Sequence, residues 1–182
     1  MAPGIRIAVG LVLAIALAGC DGERSATTAN PAPNTTQTPP PQRVTLADAK
    51  RCPVTPPSAV GPRGVSPDVF FGWGSSYGNG RLWVGGLWPQ GVIAAGPDFV
   101  DKDGSVSTKL GWWRAITGHL RIRGRRLDAS APPLRAIAPL GYGDTGFQAS
   151  SVSFPTEGCW QVTGEVGTTT LTFVTFVIKR GA

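Results

Sequence analysis

A single histidine, His119, would have to serve any site that activates a serine or cysteine nucleophile in this chain. Such sites need an imidazole that takes the proton from the nucleophile. Gly118-His119-Leu120 has the pattern of the start of a strand, so a surface or hydrogen-bonded histidine is the simpler interpretation. With His119 and Met1 the only residues of their types, a His/Met copper site is excluded. No catalytic residue is assigned.

Acidic residues give two further candidate sites, and neither has the spacing that its chemistry requires. One segment contains Asp98, Asp101, Asp103 and Gly104, which suggest a calcium-binding loop. An EF-hand loop needs a glycine at its sixth position and a bidentate glutamate at its twelfth, and both are missing. Asp103-Gly104 therefore predicts a hairpin turn, and no metal site is assigned. Glycoside hydrolysis needs paired carboxyl groups, but nothing in the sequence links Glu157 with Glu165.

Tryptophans give the best candidate for ligand binding, namely Trp83, Trp88, Trp112 and Trp113. Exposed coplanar indoles with polar neighbours stack on the faces of sugars. Successive side chains of a strand point to opposite faces, so one of the adjacent Trp112 and Trp113 is expected to be exposed. With Arg114 as a polar neighbour, Trp112, Trp113 and Arg114 are the predicted ligand-binding residues. A place in the hydrophobic core is the alternative for the tryptophans.

The N-terminus carries an export pattern. Leu17-Ala18-Gly19-Cys20 ends an apolar stretch that begins at Ile7, and Arg6 is the only charged residue before it. The stretch is shorter than the ~20 residues that a membrane-spanning helix needs, and its flanks are those of a secretory signal. Leu17 to Cys20 resembles the lipobox of bacterial lipoproteins.

This resemblance has consequences for processing and location. It implies that residues 1–19 are a signal peptide and that Cys20 receives diacylglycerol and an N-acyl chain such as palmitate. Two or three chains give stable anchoring where one is marginal. The expected product is a lipoprotein anchored to the extracytoplasmic face of the cell membrane. An ordinary secretory signal that happens to contain a cysteine is the alternative.

Two cysteines, Cys52 and Cys159, remain when Cys20 is assigned to lipidation. In the exported compartment that the resemblance implies, disulfides persist, and a bridge between the two is the simplest interpretation. A bridge that closes so long a loop would stabilise the fold by about 4 kcal/mol. A redox or metal-binding thiol pair is the alternative, but it lacks a Cys-x-x-Cys spacing and a third ligand.

Basic residues outnumber acidic ones. The formal net charge is +6 and becomes +5 when Arg6 leaves with the signal peptide. The notable cluster is Arg121, Arg123, Arg125 and Arg126, with Arg114 and Arg135 nearby. Such a cluster could meet anionic lipid headgroups or another polyanion, and a solvated strand face is the simpler alternative. The exported location disfavours nucleic acid as a partner, and no cofactor is predicted.

Composition divides the chain into three parts. Residues 1–19 form the signal peptide. Residues 20–50 are rich in Pro and Thr and lack hydrophobic periodicity, which predicts a disordered tether. Residues 51–182 are rich in Gly, Val, Thr and Trp with frequent turn residues, which predicts one all-β domain with its own hydrophobic core.

Within the domain, turn residues recur at the spacing of β-strands. Asn79-Gly80 predicts a type I′ turn. Before residue 118, strands are expected from Arg81 to Val84, from Gly91 to Ala95, from Ser105 to Leu110 and from Trp112 to Ile116. Leu120 to Leu127 then alternates apolar and basic residues, as a strand with one buried face does.

The C-terminal segment has the clearest pattern. Residues from Gly158 to Lys179 predict a hairpin with its turn at Gly167. The run Phe154-Pro155-Thr156-Glu157-Gly158-Cys159-Trp160-Gln161-Val162-Thr163 resembles the start of the penultimate strand in immunoglobulin-like domains of bacterial envelope proteins. The resemblance implies an immunoglobulin-like β-sandwich, in which Cys159 occupies a position that often carries a cysteine. Cys52 lies outside a recognisable second core strand, which departs from the antibody pattern.

Export, a lipid anchor and a β-sandwich without a catalytic motif favour a non-catalytic binding or structural module of the cell envelope. Besides the membrane, a cell-wall glycan or an envelope protein is the expected partner. The alternative is a cell-envelope hydrolase that uses a surface site not recognisable in the sequence.

Overall fold

Strands are the main secondary structure of the chain that the structure describes. The computed structural model describes residues 44–58, 61–66, 75–87 and 89–180. Its strands are β1 (Tyr77–Gly78), β2 (Leu82–Gly85), β3 (Val92–Ala95), β4 (Val106–Arg114), β5 (Leu120–Arg126), β6 (Arg135–Ile137), β7 (Gly146–Phe154), β8 (Gly158–Val166) and β9 (Thr169–Lys179). A short helix, α1 (Leu46–Ala49), precedes them, and single 3-10 turns lie at Pro89–Gly91 and Pro97–Phe99.

Two packed sheets have the strand order of an immunoglobulin domain. The first sheet runs β1-β2-β4-β7-β6 and the second β3-β9-β8-β5. In immunoglobulin lettering, β2 is strand A, β4 is strand B, and β5 to β9 are strands C to G. The sheets then contain A-B-E-D and G-F-C, which is the order of immunoglobulin constant-type domains. β3 pairs with β9 in parallel, and the other neighbours are antiparallel. The predicted all-β, immunoglobulin-like sandwich is confirmed.

The inward faces of both sheets form the hydrophobic core, because apolar residues alternate with polar ones along the strands. Phe154 and Trp160 meet edge to face with ring centroids 5.5 Å apart. Trp112 and Phe173 meet at a tilt, with centroids 6.2 Å apart. Full burial of such a side chain contributes roughly 1.5–3 kcal/mol of transfer free energy, so these aromatic pairs fix how the sheets face each other.

A disulfide joins Cys52 to Cys159 on β8, with the Cα atoms 5.5 Å apart and a sequence separation of 107 residues. The predicted pairing is confirmed. Cys159 points away from the core because its neighbour Trp160 points into it. The bridge therefore fixes residues 44–55, which we call the strap, over the outer face of the second sheet.

The strap covers a second, smaller hydrophobic cluster on that outer face. Phe176 and Ile178 of β9 are buried there beside the disulfide, with Val54 packed against them. Thr55 N donates to Val174 O, and Val174 N donates to Thr55 Oγ1, both at 2.9 Å. In antibody domains the disulfide crosses the core from B to F. Here it lies outside the core and holds a covering segment.

The predicted tether, residues 20–50, extends too far along the chain. Residues 44–50 form α1 and the start of the strap. The N-terminus of α1 has a capping box, in which Thr45 N and Oγ1 each donate to Asp48 Oδ2 at 2.8 Å, and this arrangement stabilises a helix start. Residues 1–43, which include the predicted signal peptide and Cys20, lie outside the described residues.

The hairpin between β1 and β2 differs from the predicted type I′ turn, which needs positive φ at both central residues. Gly80 has a φ of +88°. In the described chain the only non-glycine residue with positive φ is Gln90, so Arg81 has none. The turn therefore lacks the second positive φ that type I′ requires.

The other predicted β-elements are confirmed with one change. The hairpin around Gly167 is formed by β8 and β9. The two strands expected between Ser105 and Ile116 are one continuous strand, β4, because Gly111 pairs with Gly85 and Ala149 and keeps both ladders intact.

Candidate ligand-binding surfaces

Trp112 lies in the hydrophobic core and has no face free for a ligand. Its side chain is fully buried, and its Nε1 donates to Ser150 Oγ at 3.1 Å. The prediction that Trp112 binds a ligand is therefore wrong, and the alternative of a core residue is correct. Trp113 points to the outer face of the first sheet, as the alternation of a strand requires.

Trp113 is the middle residue of an aromatic row across that outer face. It pairs with Trp83 on β2 and with Phe147 on β7, and directly paired residues place their side chains on one face. Trp83 is only 7% exposed and its indole covers Gly78, while Trp113 and Phe147 are half-buried. The row is therefore not an open stacking platform. Trp88 lies outside the described residues.

The aromatic row ends at an exposed loop between β6 and β7. The ring of Tyr142 in this loop meets Phe147 edge-on, with centroids 6.1 Å apart. Tyr142 is 38% exposed, Leu140 74% and Ile137, at the end of β6, 69%. We call Ile137, Leu140 and Tyr142 the β6–β7 patch. Neighbouring exposed apolar side chains of this kind mark interaction surfaces.

Arg114 holds the backbone of this loop from inside the fold. Its side chain is buried, and its guanidinium donates to the carbonyl oxygens of Gly143 at 2.8 Å and of Tyr142 at 3.4 Å. It also donates to Gly118 O at 2.6 Å, in the turn between β4 and β5. The predicted contact of Arg114 with a ligand is corrected, because a side chain so deeply buried acts on the loop and does not reach its surface.

Gln148 provides a second buried attachment for the same loop. Its amide nitrogen donates to Pro139 O at 2.8 Å. The Nε of Arg114 and the Oε1 of Gln148 are buried without a hydrogen-bond partner in the described chain, which costs free energy. Two polar side chains of the sheet interior thus fix a loop whose apolar side chains face solvent.

A scan against protein-family models and a search of the curated proteins give no match to this sequence. Among the helices that the structure describes, none has the length and apolar character needed to cross a membrane.

A cleft of about 830 Å³ lies between the strap and the ends of β5 and β8. Its ionisable lining comprises the carboxylates Asp48, Asp103, Asp128 and Glu157 and the cations Arg51, Arg126 and Lys179. Each carboxylate accepts hydrogen bonds from the fold. For example, Glu157 Oε1 accepts from Lys179 N at 2.7 Å, and Asp128 Oδ1 accepts from Arg126 Nε at 2.7 Å. These hydrogen bonds link neighbouring segments at the end of the sandwich beside the disulfide.

Three of these carboxyl groups have a lowered pKa, whereas a general acid needs a raised one. Hydrogen bonds from the Ser105 hydroxyl and backbone N–H hold the pKa of Asp103 far below its ordinary range. Hydrogen bonds from Thr45 lower the pKa of Asp48. Burial raises the pKa of Asp128, but the hydrogen bond from its arginine partner contributes to a net shift that is downward.

The predicted hairpin turn at Asp103-Gly104 is confirmed. Gly104 N donates to Asp101 O at 2.8 Å, and Gly104 has a φ of +80°. Val100 and Val106 form a bridge on either side of the turn. Across the described residues, no group of three or more His, Cys, Asp or Glu could hold a metal ion.

The predicted arginine cluster separates into two sets. Arg121, Arg123 and Arg125 are exposed and alternate along the outer face of β5. Of these three, Arg123 forms an ion pair with Glu165. The other arginines lie off this face: Arg126 pairs with Asp128, Arg135 pairs with Asp103, and Arg114 is buried in the first sheet.

His119 is exposed, and one serine motif lies elsewhere in the chain. Residues 74–78, Gly-Ser-Ser-Tyr-Gly, match the Gly-x-Ser-x-Gly spacing of nucleophile elbows. An elbow places its serine, exposed, on a turn from a strand to a helix. Ser76 is instead buried, its carbonyl accepts from Ser58 N at 2.6 Å, and it leads into β1. The spacing therefore does not make a nucleophile here.

Proposed function

We propose that this chain is an exported, lipid-anchored protein whose immunoglobulin-like domain binds a partner at the cell envelope without catalysis. The lipobox resemblance of Leu17 to Cys20 supports the anchor and a place on the extracytoplasmic face of the cell membrane. The disulfide between Cys52 and Cys159 supports an oxidising compartment.

The β6–β7 patch carries the proposal of binding. Arg114 and Gln148 fix the backbone of the loop at Pro139, Tyr142 and Gly143. A loop held in one conformation loses little entropy when it binds, and binding residues commonly lie on loops positioned by a rigid scaffold. Two buried polar side chains therefore hold an apolar, exposed loop in one conformation, which preorganises it for binding.

An envelope protein is the partner that this patch fits best. Aliphatic side chains such as Ile137 and Leu140 fill apolar pockets of protein surfaces, and tyrosine is enriched at the centres of such interfaces. Stacking on sugars needs open aromatic faces, which the row of Trp83, Trp113 and Phe147 does not offer. A cell-wall glycan is therefore the second ligand class for this surface.

Site-specific photo-crosslinking in intact cells tests the binding surface. A photoreactive amino acid at position 140 is expected to give one discrete adduct with an envelope protein, and Tyr142→Ala is expected to weaken that adduct several-fold. The matched control is position 99, because Phe99 is also exposed but lies outside the patch. No adduct at position 140, or an equal adduct at position 99, would contradict the proposal.

Mass spectrometry of the purified protein tests the anchor. The expected mature chain begins at Cys20 and carries diacylglycerol and an acyl chain. Cys20→Ala is expected to prevent that modification and cleavage after Gly19. An intact leader, or an unmodified Cys20 in the unaltered protein, would remove the anchor and the proposed location together.

The carboxylate-lined cleft favours a second function, hydrolysis of an envelope polymer. Within the described chain Glu157 forms no ion pair, which sets it apart from the other three carboxylates of the cleft. If the cleft is catalytic, the full chain degrades wall polysaccharide and Glu157→Gln abolishes that activity. Degradation that persists in Glu157→Gln would exclude this site.

A further inference from the structure

We infer that the outer face of β5 docks the domain onto an anionic lipid bilayer. The inference rests on the proposed lipid anchor, which brings a membrane within reach. Arg121, Arg123 and Arg125 are all exposed on this face, and β5 is an edge strand of its sheet. Alternate residues of a strand are about 7 Å apart, so the Cα atoms of the three arginines form a row about 14 Å long.

Most of the charge of this row is uncompensated. Arg123 Nε donates to Glu165 Oε1 at 2.9 Å. Arg125 Nε donates to the neutral Gln161 Oε1 at 3.2 Å, and the side chain of Arg121 has no hydrogen bond or ion pair within the described residues. Three cations therefore face one carboxylate.

The neighbouring strands add no further acid to this face. The residues of β8 and β9 beside the row are neutral apart from Glu165, and the hydroxyls of Thr163 and Thr172 bond to each other at 2.9 Å. A positively charged row on a neutral polar surface is complementary to a layer of anionic headgroups, where each arginine favours the bound state by about fivefold.

The described chain begins near the end of β5. Val44, the first residue of the strap, lines the same cleft as Arg126 and Leu127, which end and follow β5. The chain from Cys20 to Val44 can span at most about 85 Å. Because the anchor and the row belong to one molecule, docking is intramolecular and proceeds at a high effective concentration.

Hydrogen exchange on the lipidated protein in vesicles tests this inference. Peptides that cover residues 120–126 are expected to exchange several-fold more slowly when phosphatidylglycerol is added to phosphatidylcholine. Arg121→Gln combined with Arg125→Gln is expected to reduce the docking equilibrium by about 25-fold and to remove the protection, as is high salt. The matched control, Arg63→Gln with Arg81→Gln, also removes two exposed arginines but is expected to keep it.

The possible results separate this inference from the proposed anchor. Equal exchange with and without anionic lipid, or protection that persists in the Arg121/Arg125 variant, would overturn it. So would protection by soluble polyphosphate but not by anionic vesicles, since the partner would then be a soluble polyanion. If Cys20 carries no lipid, the anchor fails on its own. Sedimentation of the unlipidated full chain with anionic vesicles, lost in the Arg121/Arg125 variant, would still support the row.

Discussion

The indole of Trp112 rests on the backbone of Gly164, so closely that a Cβ at Gly164 would lie 2.4 Å from the ring. Trp112 belongs to β4 and Gly164 to β8, the B and F strands of the immunoglobulin order. Antibody domains join these two strands by a disulfide across the core. In this protein the contact of Trp112 with Gly164 connects them, and the disulfide instead holds the strap.

Gly164→Ala is expected to destabilise the domain by about 1–3 kcal/mol, because the enclosed indole cannot move away from the added methyl group. Chemical denaturation measures the change. Gly96→Ala is the matched control, since Gly96 has an ordinary φ of −71° and open space where its Cβ would be. It is expected to change stability by less than about 1 kcal/mol. Equal midpoints for the two variants would show that the contact does not limit packing.

Local patterns in the sequence predict the strands but not the partners of individual side chains. The alternation from Gly158 to Lys179 has a period of two on both sides of Gly167, and this period alone defines the hairpin. The same rule shows that Trp112 and Trp113 point to opposite faces. It does not show which one is buried, because that depends on Gly164, which is distant in sequence and lies in the facing sheet.

The sequence does not identify the candidate surface, for the same reason. Arg114 attracts attention as a charged neighbour of tryptophans, but its role depends on carbonyl groups of Tyr142 and Gly143 that only the fold brings close. The start of the strap is recognisable in the sequence, because Thr45 and Asp48 have the spacing of a capping box. That spacing indicates a helix start within residues whose composition otherwise favours a tether.

The disulfide is expected to supply a large part of the stability of the domain. Cys52→Ser with Cys159→Ser opens a loop of 107 residues, which corresponds to a loss of about 4 kcal/mol. The strap is then free to leave Phe176 and Ile178, so binding of a hydrophobic dye should increase. Denaturation with and without reductant measures the stability, and dye fluorescence measures the exposed apolar surface. The reductant should weaken the parent protein and not the double variant; a parent that is insensitive to reduction would contradict this role.

Acid is expected to weaken the turn between Val100 and Val106 through Asp103. Hydrogen bonds from Ser105, and one from Arg135, lower the pKa of Asp103 from its ordinary value of 3.8, so the folded state binds fewer protons than the unfolded state. This stabilisation is fully present above about pH 4 and is lost as the pH falls towards the folded pKa. Asp103→Asn should lower stability at neutral pH and flatten its decline in acid.

Urea midpoints measured across the acid range compare this variant with a matched one. Asp144→Asn also removes an exposed aspartate, but Asp144 makes no hydrogen bond within the described residues. The urea midpoints of the Asp144→Asn variant should therefore follow those of the parent protein across the acid range. If Asp103→Asn also follows the parent, the low pKa of Asp103 contributes nothing to acid sensitivity.

Arg114→Met is expected to loosen the β6–β7 loop without altering any residue on its surface. The variant removes hydrogen bonds to Gly118, Tyr142 and Gly143, with a loss of about 2 kcal/mol in stability. Hydrogen exchange of residues 140–146 should become faster, and the photo-adduct from position 140 should weaken. Arg135→Met is the control, because Arg135 is exposed and its guanidinium bonds to Asp103 and not to the backbone of this loop.

Arg114→Lys separates the positioning role of Arg114 from its charge. One ammonium group cannot reproduce the planar fork with which a guanidinium reaches several carbonyl groups at once. Exchange in the loop should therefore be faster than in the parent protein, although the positive charge is retained. Parent-like exchange in both Arg114 variants would show that Gln148 and the ring contact of Tyr142 with Phe147 suffice to hold the loop, and that the buried guanidinium does not preorganise it.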